Sequence, residues 1–533
     1  MATLVKKEIK RLRKDKKKQD RTRSRARAIA LRVMALVLAA LIQIAILVVP
    51  YIFLHQYMAS AIYIVFQVFS VIALLYVVRS DRENPSYKVA WAILLLVIPI
   101  FGWLIYLIYG RIYYTKKERA RMAVIEEHLK LAQKNSAIAN EHLEEHHESA
   151  ASQAHYLYHY ANAPAYRHTK TRFFPLGDEM FPAMLSDLES AREFIFMEYF
   201  IVEEGKMLDA ILEILKRKAA QGLDVRFMYD SFGTLFKMPK EFRLELEQTG
   251  IKCYEFGTFT SILDVRYNNR DHRKICVIDG KIGYTGGVNL ADEYINEKMV
   301  FGHWKDTALR IEGDAVYSMT LMFLSLWNIT HRENEDYSKY RVEISEDRAY
   351  ENGYVIPYTD YPGDAEEVGA TVYMNMINHA HRYVYIMTPY LIIDNVMQKS
   401  LENAAKCGVD VRIITPGIPD KKMVFVLTQS YYEPLLEAGV RIFEYDPGFV
   451  HAKIFLSDDE VATVGTINMD FRSLALHFEN GILMCGSDAI PAMVKDYQET
   501  LERCHEVTLK EARSLAWWKK LVLPVLRLFA PLM

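Results

Sequence analysis

Arg270-Asp-His272-Arg-Lys274-Ile-Cys-Val-Ile-Asp279-Gly-Lys-Ile-Gly-Tyr-Thr-Gly286-Gly287-Val-Asn289 is answered further along the chain by His451-Ala-Lys453-Ile-Phe-Leu-Ser-Asp458-Asp-Glu-Val-Ala-Thr-Val-Gly465-Thr466-Ile-Asn468. Histidine, lysine, aspartate, glycine and asparagine recur at identical spacings, and the two histidines lie 179 positions apart. A lone His-x-Lys is close to noise. Two copies with matched downstream residues are a signature.

The repetition reaches upstream. Ala191-Arg-Glu-Phe-Ile-Phe-Met-Glu-Tyr199 parallels Ala380-His-Arg-Tyr-Val-Tyr-Ile-Met-Thr-Pro-Tyr390, and Gly222-Leu-Asp-Val-Arg226 parallels Gly408-Val-Asp-Val-Arg412. Gly250-Ile-Lys-Cys-Tyr-Glu-Phe256 parallels Gly439-Val-Arg-Ile-Phe-Glu-Tyr445. The period is far too long for a solenoid, so a domain has been duplicated. Strands rich in Val, Ile and Tyr alternate with helical patterns, which predicts an α/β fold.

At 533 residues the chain has room for several domains. Its net charge is only −2, yet residues 1–27 hold 13 Lys/Arg against 3 Asp/Glu. Such a tail favours an anionic partner, lipid headgroups or nucleic acid. Five scattered cysteines without CxxC spacing exclude a disulfide or zinc framework and read as buried hydrophobes. Val33–Leu54, Met58–Val78 and Val89–Tyr109 are uncharged apolar stretches long enough to span a bilayer. Basic residues flank both ends of this region, which argues for a cytoplasmic catalytic domain. Two inside ends need an even number of crossings. With three segments, either the first two form a tight hairpin or one lies re-entrant.

The expected organisation is a basic tail (1–32), a membrane anchor of two or three helices (33–110) and a charged helical stalk (111–170). Two α/β halves (171–335 and 336–505) and an interfacial segment (506–533) follow. His142, His146 and His147 in the stalk read as a solvated helix face rather than a metal site. Trp517, Trp518, Lys519 and Lys520 with neighbouring apolar residues suggest an amphipathic segment at the membrane surface.

A lysine two residues after a histidine on a strand points to the same face. If the halves pack face to face about a pseudo-twofold axis, His272, Lys274, His451 and Lys453 meet around one anion. Asn289 and Asn468 can add amide donors. Such a cage suits phosphoryl oxygens, with one imidazole attacking phosphorus and the other protonating the leaving group. No metal or other cofactor is expected. Asp279 and Asp458, although part of the catalytic motif, read as holding a turn after the strand. Glu198 and Glu479 are better placed to orient a histidine. Gly286, Gly287 and Gly465 are expected either to permit close backbone approach or to make a tight turn, and Thr466 accompanies them at the phosphate.

The doubled HxKxxxxD pattern resembles the phospholipase D superfamily, and the finer text resembles bacterial cardiolipin synthases. His303-Trp304-Lys-Asp306-Thr307, Thr388-Pro389-Tyr390, Gly448-Phe449-Val-His451 and Asn468-Met-Asp470-Phe-Arg472-Ser473 with Phe478-Glu479 carry the likeness. Asn84-Pro85-Ser-Tyr87, Trp91, Pro99, Gly102 and Tyr109-Gly110-Arg111 extend it into the apolar region. Asp271 and His477 stand where Asn is common. The resemblance implies a duplicated domain of two mixed sheets. It also implies a transfer between two phosphatidylglycerol molecules through a phosphatidyl-histidine on His272, with His451 as acid and base. The expected partners are phosphatidylglycerol, other anionic phospholipids and the cell membrane. Nucleic acid is not expected, and homo-oligomerisation is left open. A hydrolase using water, or a transferase using phosphatidylethanolamine or another alcohol, would need the same residues. Two intact motifs argue against a non-catalytic lipid-binding role.

Overall fold

The computed structural model describes residues 52, 56–79, 84–98, 102–103, 105–106, 116–135, 137–257, 269–331, 335–342, 353–362, 366–514 and 517–532. The basic tail and nearly all of Val33–Leu54 lie outside the described residues. The chain divides into two units, residues 1–113 with 259–267, and residues 114–258 with 268–533.

In the first unit, Gln56–Val78 is a 23-residue helix without a charged residue, although several of its side chains lie outside the description. Among the described residues no helix is long and apolar enough to cross a membrane. The helix Pro85–Val97 opens on Asn84, whose side chain accepts from Ser86 N–H at 3.0 Å, with proline in the first turn. It runs only 13 residues, not the length expected from Val89–Tyr109. Ile98 leaves the helical region at φ −129°, ψ 73°, as a residue ahead of proline tends to do. The chain then folds back. The Trp91 and Tyr106 rings meet edge to face at 5.1 Å, a contact that 15 residues of straight helix would put about 22 Å apart.

The second unit contains both halves. In the first half the strands are β1 (Thr169–Phe174), β2 (Phe194–Tyr199), β3 (Asp224–Asp230), β4 (Lys252–Phe256), β5 (Lys274–Ile278), β6 (Ile282–Gly286), β7 (His303–Lys305) and β8 (Ala308–Gly313). In the second they are β9 (Tyr354–Asp360), β10 (Tyr383–Met387), β11 (Leu391–Ile392), β12 (Asp410–Pro416), β13 (Arg441–Tyr445), β14 (Gly448–Val450), β15 (Ile454–Ser457), β16 (Val461–Gly465), β17 (Met469–Asp470), β18 (Glu479–Cys485) and β19 (Cys504–Glu506).

The first sheet runs β1-β8-β6-β5-β2-β3-β4, and the second, read from its far edge, β9-β18-β16-β15-β10-β12-β13-β19. Seven strands correspond one to one, and β19 is an addition. β2, β3 and β4 are parallel to one another, as are β10, β12 and β13, while β5 and β15 run antiparallel to their neighbours. Both sheets are therefore mixed, as expected of the duplicated fold.

Central strands alternate faces but are apolar on both. Ile275 and Val277 face a core shared by the two halves, while Cys276 and Ile278 face a core built from the first half and closed by Phe449 of the second. The helix Val316–His331, buried from Leu321 to Trp327, lies within the shared core. The segment read as a stalk is not free of the halves. Leu143, Ala150, Ala154 and Leu157 belong to the second half's outer core, and Gln153 donates to Val372 O at 3.2 Å. His142 bonds to the Tyr354 hydroxyl and His147 stacks edge-on against its ring. The C-terminal helix Trp517–Phe529 docks through Leu523 and Leu526. Arg527 helps by donating to Gln398 Oε1 at 2.8 Å, while Val522 and Val525 stay exposed.

Candidate active site

Neither histidine lies on a strand. His272 and His451 sit in extended segments just ahead of β5 and β15, and each is fixed by the opposite half. His272 N–H donates to Phe478 O at 2.9 Å, and Phe478 N–H to Arg270 O at 2.8 Å. His451 N–H donates to Lys305 O at 2.7 Å, where β7 and β14 pair in parallel. The two motif segments are thus stitched across the interface between the halves.

The orienting carboxylates cross in the same way. His272 Nδ1 lies 2.9 and 3.0 Å from the Glu479 oxygens, and His451 Nδ1 lies 2.6 Å from Asp306 Oδ2. Glu479 belongs to the second half and serves the first half's histidine; Asp306 belongs to the first and serves the second's. Both carboxylates are fully buried. They occupy one register position. Gly286 pairs with Ala308, and Gly465 with Gly481, so Asp306 and Glu479 each stand two residues before the partner of the motif glycine. With Nδ1–H given to a carboxylate, Nε2 of each ring carries the free lone pair.

Asp306 is the residue that sequence reasoning missed. It appears in the quoted resemblance without a role. The signal was the register, hidden because Asp306 lies 20 positions after Gly286 whereas Glu479 lies 14 after Gly465. Glu198 is a correction: it orients no histidine. It accepts from Arg273 Nε at 2.7 Å in a buried cluster with Asp271, and burial holds its carboxyl well above the usual range. The arginine between His272 and Lys274 needs buried acidic partners, and Glu198 on the neighbouring strand and Asp271 together supply them.

Lys274 and Lys453 are both buried, and each Nζ donates to the carbonyl of its own histidine. Burial lowers Lys274 to about 7 and Lys453 to about 8, with Glu479 and Asp306 respectively pulling the other way. Burial also lowers His272, to about 3, although Glu479 opposes it. His451 falls well below its ordinary value through burial, reinforced by Lys453 and Lys274. Burial pushes Asp306 up to about 7 against the pull of Lys453. Burial would raise Glu479 too, but His272 and His477 hold it below the carboxylate range.

Asn289 accepts from Ile201 N–H at 2.9 Å, and its buried Nδ2 makes no hydrogen bond. Asn468 is buried with an unbonded Oδ1. Thr466 stands behind Glu479 rather than at a phosphate: its hydroxyl donates to Glu479 Oε2 and accepts from Asn480 N–H at 3.0 Å. At the equivalent position a Cβ on Gly287 would collide with the Asp306 carboxylate, so the missing side chain makes room for Asp306.

Asp279 and Asp458 stand apart from this cluster. Asp279, at φ +51°, accepts from the N–H groups of Arg192, Glu193 and Phe194 at 2.8–2.9 Å. Asp458, at φ +56°, accepts from those of His381, Arg382 and Tyr383 at 2.7–2.9 Å. Each ties the turn after the motif strand to the start of β2 or β10. That geometry is structural, although the motif groups both aspartates with the catalytic residues.

Phe200 lies edge-on to His272, and Tyr294 and Trp304 flank His451. Metal-type ligand atoms of His272, His477 and Glu479 lie within 4.8 Å of one another, as do those of Glu144, His155 and His159. In the first group the Glu479 oxygens are already taken by His272. Two imidazoles held through Nδ1 by carboxylates, two buried lysines and a buried amide make up a site whose chemistry suits an anion.

The family described as "Cardiolipin synthase, PLD-like domain" matches residues 184–313 and 373–504, one segment in each half. The chain belongs to this family. A second family, "Phospholipase_D-nuclease N-terminal", matches residues 68–111. An uncharacterized protein of Streptococcus mutans is 42% identical, covering 86% of this chain and 99% of its own length. Cardiolipin synthase 2 of Bacillus anthracis is 34% identical over 86% of this chain and 89% of its own. Cardiolipin synthase of Halalkalibacterium halodurans is 33% identical over 86% and 91%. Among solved structures, phosphatidylserine synthase of Haemophilus influenzae superposes with a TM-score of 0.53 at 16% identity, covering 68% of this chain and 93% of its own. That likeness speaks for the fold.

Proposed function

We propose that this family member is a phosphatidyltransferase that makes cardiolipin and glycerol from two phosphatidylglycerol molecules. The crossed histidine–carboxylate pairs carry this reading. His272, kept neutral by burial with Nδ1–H on Glu479, attacks the phosphodiester through Nε2. The phosphorus–oxygen bond to glycerol breaks as His451 delivers a proton to the departing oxygen. His451, neutral again, takes the proton from a terminal hydroxyl of the second phosphatidylglycerol. That oxygen attacks phosphorus, the phosphorus–nitrogen bond breaks, and His272 is regenerated. Lys274, Lys453 and the Nδ2 of Asn289 stabilise the phosphoryl oxygens as charge grows. The incoming phosphodiester supplies the negative charge that lets His451 hold a proton in a site whose burial and lysines otherwise expel it. One diester is exchanged for another, so no nucleotide is consumed.

The same reading places the chain in the cell membrane with its catalytic domain in the cytoplasm. Both basic ends stay inside if an even number of the apolar stretches crosses. The test uses purified protein in mixed micelles with phosphatidylglycerol alone and mass spectrometry of the lipids. Cardiolipin and free glycerol, absent with His272→Ala or His451→Ala, are expected. Phosphatidic acid as the main product would make the chain a hydrolase and overturn the reading.

A further inference from the structure

Exposed apolar side chains in the second unit are not scattered. Most lie on helices, but outside helices the large ones among the described residues are Phe232, Phe236, Met299, Val300 and Ile418. Met423, 62% exposed, follows Ile418 at the start of the next helix. Met299 is the most exposed, at 81%.

Topology puts these three segments at the catalytic end of the sheets. Tyr199 at the end of β2 pairs with Lys274, so His272 lies where β2 and β3 finish. The segment with Phe232 and Phe236 leaves β3 at that end, and the Arg270 guanidinium lies 5.3 Å from the Phe232 ring. Met387 at the end of β10 pairs with Ile454, which puts His451 at the equivalent end of the second sheet. Ile418 and Met423 leave β12 there, and Ile418 N–H donates to Gly448 O at 3.1 Å, three residues before His451. Met299 and Val300 lead into the β7–β14 pairing that holds His451. The opposite strand ends, at Gly222, Gly250, Gly408 and Gly439, expose no large apolar side chain.

Lysines stand among these side chains: Lys240 and Lys422, Lys421 with its nitrogen 3.7 Å from Asp420, and Lys237 and Lys298, which are paired with Glu203 and Glu293. Apolar side chains interleaved with lysines are what an anionic bilayer surface accepts. The apolar groups enter the acyl boundary and the ammonium groups stay with the headgroups. A soluble monomer has no use for such a rim around its active site.

We propose that Phe232, Phe236, Met299, Val300, Ile418 and Met423 form a membrane-inserting rim that seats the catalytic mouth on an anionic lipid surface. The proposal rests on the substrate being a lipid. It adds that the phosphodiester is taken directly from the bilayer between the two halves, rather than from a lipid lifted into water.

The test uses the full chain in vesicles of phosphatidylglycerol with acyl-brominated phosphatidylcholine. Met299→Cys and Met423→Cys are each labelled with bimane after Cys407→Ser and Cys504→Ser; the other three cysteines are buried. Native Cys407, exposed at the far strand ends, is labelled as the control in Cys504→Ser. Bromine is expected to quench both rim labels several-fold more than the Cys407 label. Equal quenching at all three sites overturns the proposal. So does a blue-shifted rim label that bromine leaves untouched, which would place protein against this face. Cardiolipin formation followed in the same vesicles separates the two claims. Product without rim quenching sinks the rim and leaves the transferase reading standing. Rim quenching without product does the reverse.

Discussion

Replacing Asp306 with asparagine isolates the part of the mechanism that belongs to His451. Asp306→Asn keeps the volume and removes the charge 2.6 Å from His451 Nδ1. A hydrogen bond to a charged group contributes roughly 1.5–3 kcal/mol. A charge pair at about 4 Å in an effective dielectric of about 20 gives about 4 kcal/mol as the upper figure. On the proposed mechanism, the His451 imidazolium that carries the proton between glycerol and the second lipid loses that support in both half-reactions. Loss of kcat by about 10- to 1,000-fold follows, since 1.4 kcal/mol is tenfold. KM should change far less, because the charge matters most when His451 is protonated. The assay is cardiolipin formation in mixed micelles, with a thermal melt on the same preparation. A rate within a few-fold of wild type at an unchanged melting temperature would refute the assignment. A loss of rate matched by a loss of folded protein would make Asp306 a packing residue.

Other outcomes can be stated from the same geometry. With Lys274 lowered to about 7 and Lys453 to about 8, both lose charge as pH rises through that range. The kcat/KM for phosphatidylglycerol, which reports the free enzyme, should fall there, and kcat, which reports the loaded site, should fall only at higher pH. Lys274→Arg should move the kcat/KM limb upward, and His272 at about 3 predicts no acid limb near 6.5. Gly287→Ala should lower turnover about as much as Asp306→Asn, because the new methyl group pushes Asp306 off His451; the melt should move far less than kcat. Asp279→Ala leaves three backbone N–H groups unpaired and should cost about 3 kcal/mol, read as a lower melting temperature with activity per folded molecule retained. Asp458→Ala should cost less, since Asp458 is itself less buried than Asp279 and two of its hydrogen bonds are exposed.

What could be read from the sequence is what repeats at fixed spacing. His272, Lys274, His451 and Lys453 and the α/β order of both halves follow from local pattern, because strand and turn chemistry acts over a few residues. Glu479 was legible through its place after the second motif. Asp306 was not, since its equivalence to Glu479 depends on hydrogen-bond register across a loop six residues longer. The role of Glu198 is not legible, because its partner Arg273 stands at the variable position between His272 and Lys274. The third apolar stretch counted as one span because hydropathy averages across Pro99, where backbone geometry does not.

The crossed carboxylates bear on how this chain was able to change over time. Were the halves separate identical subunits, every substitution would appear in both centres at once. One gene carrying both copies removes that constraint, and the two centres have already drifted: glutamate backed by Thr466 on one side, aspartate sheltered by Gly287 on the other. Fusion therefore did more than tether two copies. It let a symmetric pair diverge, so that one imidazole now meets a glutamate while its counterpart meets an aspartate.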